Sequence, residues 1–501
     1  MKKNLKKYIF YFVLFPVLIF GAAFPEYRTE TLSVKGEIQQ IQPEDLNADG
    51  APDLLVLHTQ TYFLDTKIRR FISIFFQENG ELSKTADQTF EANNGEIVFD
   101  LADLDHDGKL EFIFLKEDGC YLKTFGDSLF SNQTQRIINI PSLFLSFDKS
   151  RLTRIPLCFD LNGDSLPEIL IPQMHGIDIV SKTDTGYAVT NHLWIDHPLH
   201  FSVHPPLSLT ISLPELAFRD FNGDGRRDLL FIQDQQLDIF LNHFAQSSGD
   251  LIPPDLHYNM RSRHLIQSSL NRLSPSTTFL EIVDLNNDGF SDLLLTQAPR
   301  AQFPGRISQI QIYINRYGKL RPLPDQILTA ENFGGEHIFR DFNGDGLLDI
   351  ATLNFDIGIL QAAKFLLTKK IKNICRIYLM RSDHTYPDHP NSRINFHRKL
   401  TLTDLTESSL HKQNFEGDFN GDGLVDYIIA TDKDQFAIYP GKGKGQFTKK
   451  SARDISTPTS EHFLITDINQ DGCSDLILWF PENPDKSGQI VCNKSQIRTS
   501  P

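Results

Sequence analysis

Eight short stretches of the sequence share one pattern of oxygen-bearing side chains. In the clearest copy, DFNGDGLVDYIIA, Asp418, Asn420, Asp422 and Asp426 occupy positions 1, 3, 5 and 9. Carboxylates this close repel one another, so the arrangement is stable only around a positive charge. Oxygen ligands grouped around a tight glycine turn suit a hard cation, and Ca²⁺, which takes six to eight oxygens in a flexible shell, fits best. The stretch predicts a calcium site.

The same pattern recurs along nearly the whole chain of 501 residues. A single acidic loop is a weak signal, because acidic turns are common. Eight copies at spacings of 49 to 77 residues indicate a repeat architecture instead. The other copies begin at Asp45, Asp103, Asp160, Asp220, Asp284, Asp341 and Asp467.

The residues that follow each loop decide which kind of calcium loop it is. An EF-hand requires a bidentate glutamate at position 12, and dockerin-type loops also need an acidic ligand there. Position 12 is apolar in seven copies and Thr352 in the other, so both types are excluded. The runs after position 9, such as DLLVL from Asp53, are short and apolar without helical period, which predicts buried strands.

Each repeat holds four such strands, with the metal loop between the first and the second. A four-stranded antiparallel unit repeated around a circle is a β-propeller blade. The chain has a surplus strand within Tyr27–Lys35 and lacks a fourth strand after Lys494. We therefore predict an all-β fold, an eight-bladed β-propeller of four-stranded antiparallel blades, closed by strands from both termini and carrying one helical insertion.

The loops resemble those of the FG-GAP and VCBS repeat families, which include the propeller of integrin α chains and many secreted bacterial proteins. The resemblance covers residues 27–495, and because the literal FG and GAP signatures are mostly absent, the bacterial VCBS-like branch is the closer one. The resemblance implies an extracytoplasmic, calcium-binding propeller that takes part in adhesion or ligand recognition.

In that family the side chains at positions 1, 3, 5 and 9 bind calcium together with the backbone carbonyl at position 7, which implies up to eight sites here. Ser165 replaces the glycine at position 6 of the third copy, and Glu111 and Glu168 replace aspartate at position 9, so we expect the third site to be weaker. The implied ligands are Asp45, Asn47, Asp49, Ala51, Asp53, Asp103, Asp105, Asp107, Lys109, Glu111, Asp160, Asn162, Asp164, Leu166, Glu168, Asp220, Asn222, Asp224, Arg226, Asp228, Asp284, Asn286, Asp288, Phe290, Asp292, Asp341, Asn343, Asp345, Leu347, Asp349, Asp418, Asn420, Asp422, Leu424, Asp426, Asp467, Asn469, Asp471, Cys473 and Asp475.

The N-terminus reads as a separate segment. MKKNLKKYIFYFVLFPVLIFGAA has a basic start, an apolar run and small residues at its end, which is typical of a secretory signal peptide cut near Ala23. The apolar run is short for a membrane span, and an uncleaved anchor is the alternative. Residues 24–501 are then expected to form one monomeric propeller without a further transmembrane segment, in a secreted, periplasmic or cell-surface protein of bacterial origin.

The charge balance agrees with the metal loops. The formal net charge is −15, becomes −19 without the four lysines of the signal segment, and 25 acidic side chains lie in the loops. Eight Ca²⁺ ions would balance most of this charge, and no basic stripe points to nucleic acid. The five cysteines show no zinc or redox spacing, which favours buried thiols, with Cys473 and Cys492 the one pair to test as a disulfide.

Two insertions are predicted on the face opposite the metal loops. The first carries His192, His197, His200 and His204 at a spacing that fits no zinc pattern, so we interpret it as a proline-rich connector, with a ligand site as the alternative. The second, residues 356–371, has apolar side chains at helical spacing after an N-cap aspartate. We expect a helix that packs over the ring, or one that binds a partner or a membrane surface.

These features leave three functions open. We favour a non-enzymatic recognition or adhesion scaffold for a protein or glycan, contacted through the face with the insertions. An enzyme resembling the eight-bladed rhamnogalacturonan lyases is one alternative; against it, the metal loops consume the patterned carboxylates and no nucleophile motif stands out. A purely structural surface component is the other. No catalytic residue or organic cofactor is predicted.

Overall fold

The computed structural model describes residues 24–493 with internal gaps. The gaps are 25, 63–64, 94, 144–150, 175, 196–198, 203–207, 212–213, 234–235, 243, 245–250, 260–275, 300–306, 332, 356–367, 369, 400–412, 461 and 482–487. The predicted signal segment and most of the predicted helix therefore lie outside the described residues. The named elements of the described part are all strands, and Thr368, which falls within the predicted helix, is helical. The same part contains no helix of the length and apolarity that a bilayer crossing needs.

The strands form small sheets that follow one another along the chain, here named A to H. Sheet A consists of Glu37–Glu44, Asp53–Tyr62, Asp65–Phe75 and Gln88–Glu91. Sheet B consists of Val98–Ala102, Glu111–Lys116, Gly119–Lys123, Gln135–Ile138 and Thr153–Arg154. Sheet C consists of Cys158–Phe159, Glu168–Gln173, Gly176–Thr183, Gly186–Leu193 and Leu251–Ile252. Sheet D consists of Glu215–Arg219, Asp228–Gln233, Gln236–Phe240 and Leu256–Asn259.

The second half of the chain repeats the arrangement. Sheet E consists of Ser276–Val283, Asp292–Pro299, Ile307–Tyr313 and Gln326–Glu331. Sheet F consists of Phe333–Arg340, Asp349–Phe355, Lys370–Tyr378 and Ser392–Lys399. Sheet G consists of Gln413–Gly417, Asp426–Asp432, Gln435–Tyr439 and Arg453–Ser456, and sheet H of His462–Thr466, Asp475–Trp479, Gly488–Asn493 and Tyr27–Leu32. Two further hairpins pair Gln77–Glu78 with Glu81–Leu82 and Leu199–Ser202 with Ser208–Ile211.

The second strand of each sheet is apolar without alternation because both of its faces are covered. In Glu111–Lys116 five consecutive residues are buried, and Asp426–Asp432 likewise begins with five. A strand with one wet face would alternate apolar and polar side chains, whereas a strand covered on both faces reads as a continuous apolar run. The prediction of buried strands after each metal loop is confirmed.

Apolar clusters between neighbouring sheets join the sheets into a closed cycle. One cluster unites Leu57 of sheet A with Phe112 of sheet B, and similar clusters follow between each later pair of sheets. Ile428 of sheet G packs in a cluster with Leu476 of sheet H. The cycle returns to its start where sheets H and A share a cluster containing Trp479. The fold is a β-propeller arrangement of small antiparallel sheets.

The two ends of the described chain meet in sheet H, as predicted. Tyr27–Leu32 pairs antiparallel with Gly488–Asn493, with Tyr27 opposite Asn493 and Leu32 opposite Gly488. The N-terminal strand is therefore the outermost strand of the sheet that holds the last metal loop. Its first side chain also reaches sheet G, because the Tyr27 hydroxyl donates to the Phe419 carbonyl at 3.0 Å.

Two details differ from the prediction. Two sheets have five strands, since Thr153–Arg154 adds parallel to sheet B and Leu251–Ile252 adds parallel to sheet C. The predicted helix cannot reach residue 371, because strand Lys370–Tyr378 pairs with both of its neighbours in sheet F. Pairing across the sheet overrides the local helical pattern at these residues.

Candidate metal centres

Each acidic loop joins the first strand of a sheet to its second strand, as predicted. In sheet G, for example, the loop runs from the end of Gln413–Gly417 to the start of Asp426–Asp432. The first strands of all the sheets end on the same side of the ring, so the loops that follow them share one face. We call this end of the ring the metal-loop face. The structure thus brings positions 1 to 9 of each copy together in one compact turn.

The aspartate at position 1 organises the turn by accepting backbone hydrogen bonds. In the seventh loop the Asp418 Oδ1 atom accepts from the Gly421 N–H at 2.8 Å, and Oδ2 accepts from the Gly423 N–H at 2.7 Å. The bond from position 6 to position 1 recurs in all eight loops at 2.7–3.0 Å. Aspartate commonly nucleates turns in this way. The position-5 aspartate then accepts from the position-7 N–H at 2.8–3.0 Å, which fixes the peptide at position 7.

Two residues of each loop, at positions 4 and 6, have left-handed backbone conformations. In the seventh loop these are Gly421 and Gly423, with φ of 70° and 81°. Sequence reasoning identified position 6 but missed position 4, where Ala48 adopts a φ of 62°. Ser165 takes the same conformation as the glycines it replaces, at a φ of 72°, although a Cβ atom makes this region costly. The third loop therefore keeps the fold of the others under local strain.

The position-9 carboxylate is buried and fastens the loop to the body of its sheet. Asp426 is 0% exposed; its Oδ2 atom accepts from the Phe419 N–H at 2.9 Å and its Oδ1 atom from the Gly441 N–H at 2.8 Å. Gly441 lies just beyond the third strand. The same double contact occurs at Asp53, Asp228, Asp292 and Asp349. Sequence reasoning gave this carboxylate only a role as a ligand.

The two glutamates at position 9 make the first of these contacts but not the second. Glu111 and Glu168 accept from the N–H groups of Leu104 and Leu161 at 2.8 Å. Within the residues that the structure describes, no backbone N–H from beyond the third strand donates to either glutamate. Glu168 instead accepts from Asn162 Nδ2 at 2.8 Å, inside its own loop. Glu168 also hydrogen-bonds the Ser181 side chain on the third strand of sheet C, so this longer side chain replaces the backbone anchor with side-chain contacts.

The buried carboxylates are electrostatically uncompensated by the protein. Burial raises the pKa of Asp426 to about 7; backbone hydrogen bonds oppose this, and the charges of Asp418 and Asp422 add to it. Burial likewise raises the pKa of Asp228, and it raises the pKa to about 6 for Asp53 and to about 7 for Glu111, Glu168, Asp292 and Asp349. In the first seven loops, no ion pair between described residues involves a loop carboxylate.

The donor set fits a hard cation. In the second loop, carboxylate oxygens of Asp103, Asp105 and Glu111 lie within 4.8 Å of one another. In six loops the position-3 asparagine amide contacts the position-5 carboxylate at 2.8–3.2 Å, which keeps oxygen donors of both residues in the turn. All the side-chain donors are oxygens, which Ca²⁺ prefers over softer ligands. The residues at positions 1, 3, 5 and 9, with the position-7 carbonyl, would hold such an ion.

The metal loops are also hydrogen-bonded to the neighbouring sheets around the ring, which the sequence analysis did not predict. In seven loops the position-2 carbonyl accepts a hydrogen bond from the next sheet. The donors are Leu110 to Leu46, Lys182 to Leu104, Asn315 to Phe221, Leu348 to Leu285, Gly445 to Phe342, Tyr27 to Phe419 and Gln77 to Ile468, at 2.7–3.2 Å. A conformational change in one loop therefore alters a hydrogen bond to the adjacent sheet.

The histidine connector is not assembled as a site in the described residues. His192 lies on the last antiparallel strand of sheet C, where its Nδ1 atom is 2.7 Å from Asp178 Oδ1. His197 and His204, and the side chain of His200, lie outside the described residues. Cys473 forms no disulfide among the described residues, and the side chain of Cys492 lies outside them, so that pair stays a prediction.

Comparison with known proteins identifies the repeat. The sequence profile of the FG-GAP-like repeat matches residues 45–114, 284–352 and 418–478, and each match begins at a metal loop. A T-cell immunomodulatory protein homolog of Plasmodium falciparum is 23% identical over 283 residues, covering 55% of this chain and 32% of that protein. The chain thus matches about a third of the relative's length. The bacterial branch stays a prediction.

The solved structures to which this chain is similar are distant in sequence. A lectin from Agrocybe aegerita, described as recognising non-reducing terminal N-acetylglucosamine, is 14% identical with a TM-score of 0.40 over 93% of this chain and 99% of the lectin. A biofilm matrix protein of V. cholerae is 10% identical with a TM-score of 0.28, over 95% and 88%. The WD40 domain of a Toxoplasma gondii coronin is 9% identical with a TM-score of 0.37, over 95% and 90%.

Proposed function

This chain belongs to the FG-GAP-like repeat proteins, and from that premise we propose that it is a secreted or cell-surface, calcium-binding scaffold. Its role is non-enzymatic recognition of a protein or glycan ligand. The observation that carries the calcium part is the buried position-9 carboxylate, which faces two further carboxylates without a cationic partner. A bound Ca²⁺ supplies the positive charge that this arrangement lacks.

The chain's own residues prepare each centre before any ion binds. The position-1 aspartate shapes the turn, and the left-handed residues at positions 4 and 6 permit the reversal. In five loops the position-9 aspartate also ties the turn to the chain beyond the third strand. Oxygens held in this way lose little conformational freedom on binding, and such preorganisation favours affinity.

We also propose that the ring has eight blades, namely sheets A to H. The support is the cycle of apolar clusters, in which each sheet shares one cluster with the sheet before it and another with the sheet after it. Sheet H takes its outermost strand from the N-terminal end of the chain, so it completes the ring and fastens it.

Support for a recognition role comes from how the buried polar groups outside the metal loops are used. His58 lies between the Lys35 carbonyl and the Ser73 hydroxyl, at 2.8 Å from each. Glu96 accepts from the backbone of Asn93 at 2.7 Å and pairs with Lys116 at 3.1 Å. Arg154 pairs with Asp100 and Glu44 across two sheets. These contacts hold the scaffold together and use the groups that catalysis would otherwise require.

A glycan array probed with the purified protein in calcium-containing buffer tests the proposal. We expect binding to a defined set of glycans, lost when the protein is unfolded by chelator. A parallel assay for unsaturated products from pectin substrates addresses the lyase alternative. Product formation that scales with protein concentration would overturn the non-enzymatic assignment, and the absence of any glycan or protein ligand would favour a purely structural role.

A further inference from the structure

A loop rich in lysine lies on the metal-loop face of sheet G. It connects the third strand, Gln435–Tyr439, to the fourth, Arg453–Ser456, and we call residues 440–450 the lysine loop. The side chains of Lys442, Lys444, Lys449 and Lys450 are all exposed. In a chain with a net charge of −15, four exposed ammonium groups on one short turn form a distinct basic patch.

The lysine loop is firmly built. The Lys442 N–H donates to the Gln446 carbonyl at 2.8 Å, and the Thr448 N–H donates to the Pro440 carbonyl at 2.9 Å. The Gly445 N–H reaches across to the Phe342 carbonyl of the neighbouring sheet F at 3.2 Å. The turn is thus closed on itself and docked on a second sheet, so the lysine backbones are held in place.

The positive charge of this loop is not used within the protein. Among the described residues, none of the four ammonium groups has an ion-pair or hydrogen-bond partner. In that same set, the N–H groups of Gly443 and Lys444 donate to no protein acceptor. Gly443, Lys444 and Gly445 have φ of 68°, 56° and 63°. Successive backbone N–H groups in such turns form concave anion-binding sites.

We propose that the lysine loop binds the sulfate groups of a sulfated polysaccharide. The inference rests on the proposed recognition function and names its ligand class. It places this contact on the metal-loop face, not on the face with the insertions that the sequence led us to expect. A tetrahedral oxyanion can accept hydrogen bonds from free N–H groups and ammonium groups together. The loop offers both kinds of donor within one turn.

The surroundings of the loop favour a flexible single polyanionic chain over a duplex or a membrane. The lysine loop sits directly on a metal loop, since the Gly441 N–H donates to Asp426 Oδ1 at 2.8 Å. Asp418, Asp422 and the other loop carboxylates lie on the same face. Even with Ca²⁺ bound, three carboxylates per loop leave a net negative charge on this face. A nucleic acid duplex or an anionic membrane would press continuous negative charge against it, which Coulomb repulsion disfavours. A polysaccharide can place sulfates at the lysines and neutral hydroxyls elsewhere.

The test measures heparin binding by the full-length protein in calcium-containing buffer at about 0.15 M salt, where surface charges are screened within about 8 Å. The variants are K442Q/K444Q and K449Q/K450Q. The matched control, K84Q/K433Q, removes the same charge from two exposed lysines outside the loop. We expect each loop variant to bind heparin roughly three- to tenfold more weakly, as for the loss of two exposed charge contacts. The control should bind heparin as the parent does. Chemically desulfated heparin should bind neither the parent nor the control.

The outcomes separate this inference from the proposed function. Equal weakening in the control and the loop variants would overturn it, as would parent protein that binds duplex DNA or anionic phosphatidylserine vesicles as tightly as heparin. Glycan-array binding that the loop variants leave unchanged would overturn the lysine loop as the site while the recognition function stands. Melting curves of all variants check that each one is folded. The four loop lysines have no described side-chain partner, and Lys433 of the control has only an exposed ion pair with Asp434 at 3.8 Å.

Discussion

At the scale of single residues, each aspartate of a metal loop has two roles that compete for its oxygens. Asp422 accepts from the Leu424 N–H at 2.9 Å and also faces Asn420 Nδ2 at 3.0 Å, while its remaining lone pairs are free for a cation. Its loss therefore removes both a ligand and a turn contact. Ser165 is the opposite case, because its side chain is tolerated rather than required.

We predict that Asp422→Ala lowers the melting temperature more than Ser165→Gly does. The first change removes a charged acceptor and a ligand, whereas the second relieves a left-handed strain of about 1–2 kcal/mol at the cost of some backbone entropy. Thermal unfolding in calcium-containing buffer measures both. Equal destabilisation by the two substitutions would contradict this account of the loop.

A second residue-scale prediction concerns the buried histidine of sheet A. Burial lowers the pKa of His58 to about 4, against an ordinary value of 6.5, and the Lys35 carbonyl only partly offsets this. Between these values the unfolded chain binds the proton more readily than the folded chain does. The contribution of His58 to the free energy of unfolding is therefore intact above pH 6.5. It is lost as the pH falls towards 4, by up to about 3 kcal/mol.

The measurement for this prediction is the difference in unfolding free energy between the parent and His58→Gln across pH 7 to 4. We expect the parent to lose more stability than the variant over this window. His389→Gln, on an exposed histidine outside sheet A, serves as the control for replacing a histidine by glutamine. A His58→Gln curve parallel to that of the parent would exclude His58 as the source.

At the scale of elements, the strand from the N-terminal end is the piece that completes sheet H. It pairs along its full length with Gly488–Asn493, and Leu32 packs in the cluster shared by sheets H and A. Without it, sheet H would present an unpaired edge and lose apolar cover on both sides. Repeat folds depend on such neighbour contacts, because no unit buries its surface alone.

Deletion of residues 24–36 is expected to lower the melting temperature sharply. A synthetic peptide of the same thirteen residues, added in excess, should restore part of the loss, because it can refill the edge. A version of the peptide with proline at the positions of Thr29 and Thr31 is the control, since proline removes ladder hydrogen bonds. Unchanged stability of the deletion would show that this strand does not fasten the ring.

At the scale of the whole molecule, the metal loops act together. Their position-2 carbonyls link one sheet to the next, and the loop carboxylates give their face a dense negative charge. Repulsion within each loop is on the order of 1 kcal/mol or more at an intermediate dielectric. Because the loops are coupled through the sheets, the effects of metal binding should add across the ring.

Chelation is therefore predicted to lower the melting temperature markedly. A ligand that binds only the folded state contributes about 2.7 kcal/mol per site at a hundredfold excess over Kd. Ca²⁺ should restore stability better than Mg²⁺, which demands tighter octahedral geometry. Calorimetry of protein first shown to contain metal is the appropriate measurement. A melting curve indifferent to chelator would refute the calcium assignment.

Features that depend on local pattern could be predicted from the amino-acid sequence. The spacing of Asp418, Asn420 and Asp422 is enough to predict the turn, and the apolar run after Asp426 is enough to predict a buried strand. Counting strands also predicted that the N-terminal strand joins sheet H. These inferences succeed because turn geometry and strand burial are set by residues close together in the chain.

Contacts between residues distant in sequence could be found only in the tertiary structure. The contact between Tyr27 and Phe419 spans 392 positions, and the anchoring of Asp426 needs Gly441 from beyond the third strand. The pairing of the fifth strands of sheets B and C and the docking of the lysine loop on sheet F likewise depend on residues distant in sequence. Local propensity carries no information about such partners, because their positions follow from how the sheets pack around the ring.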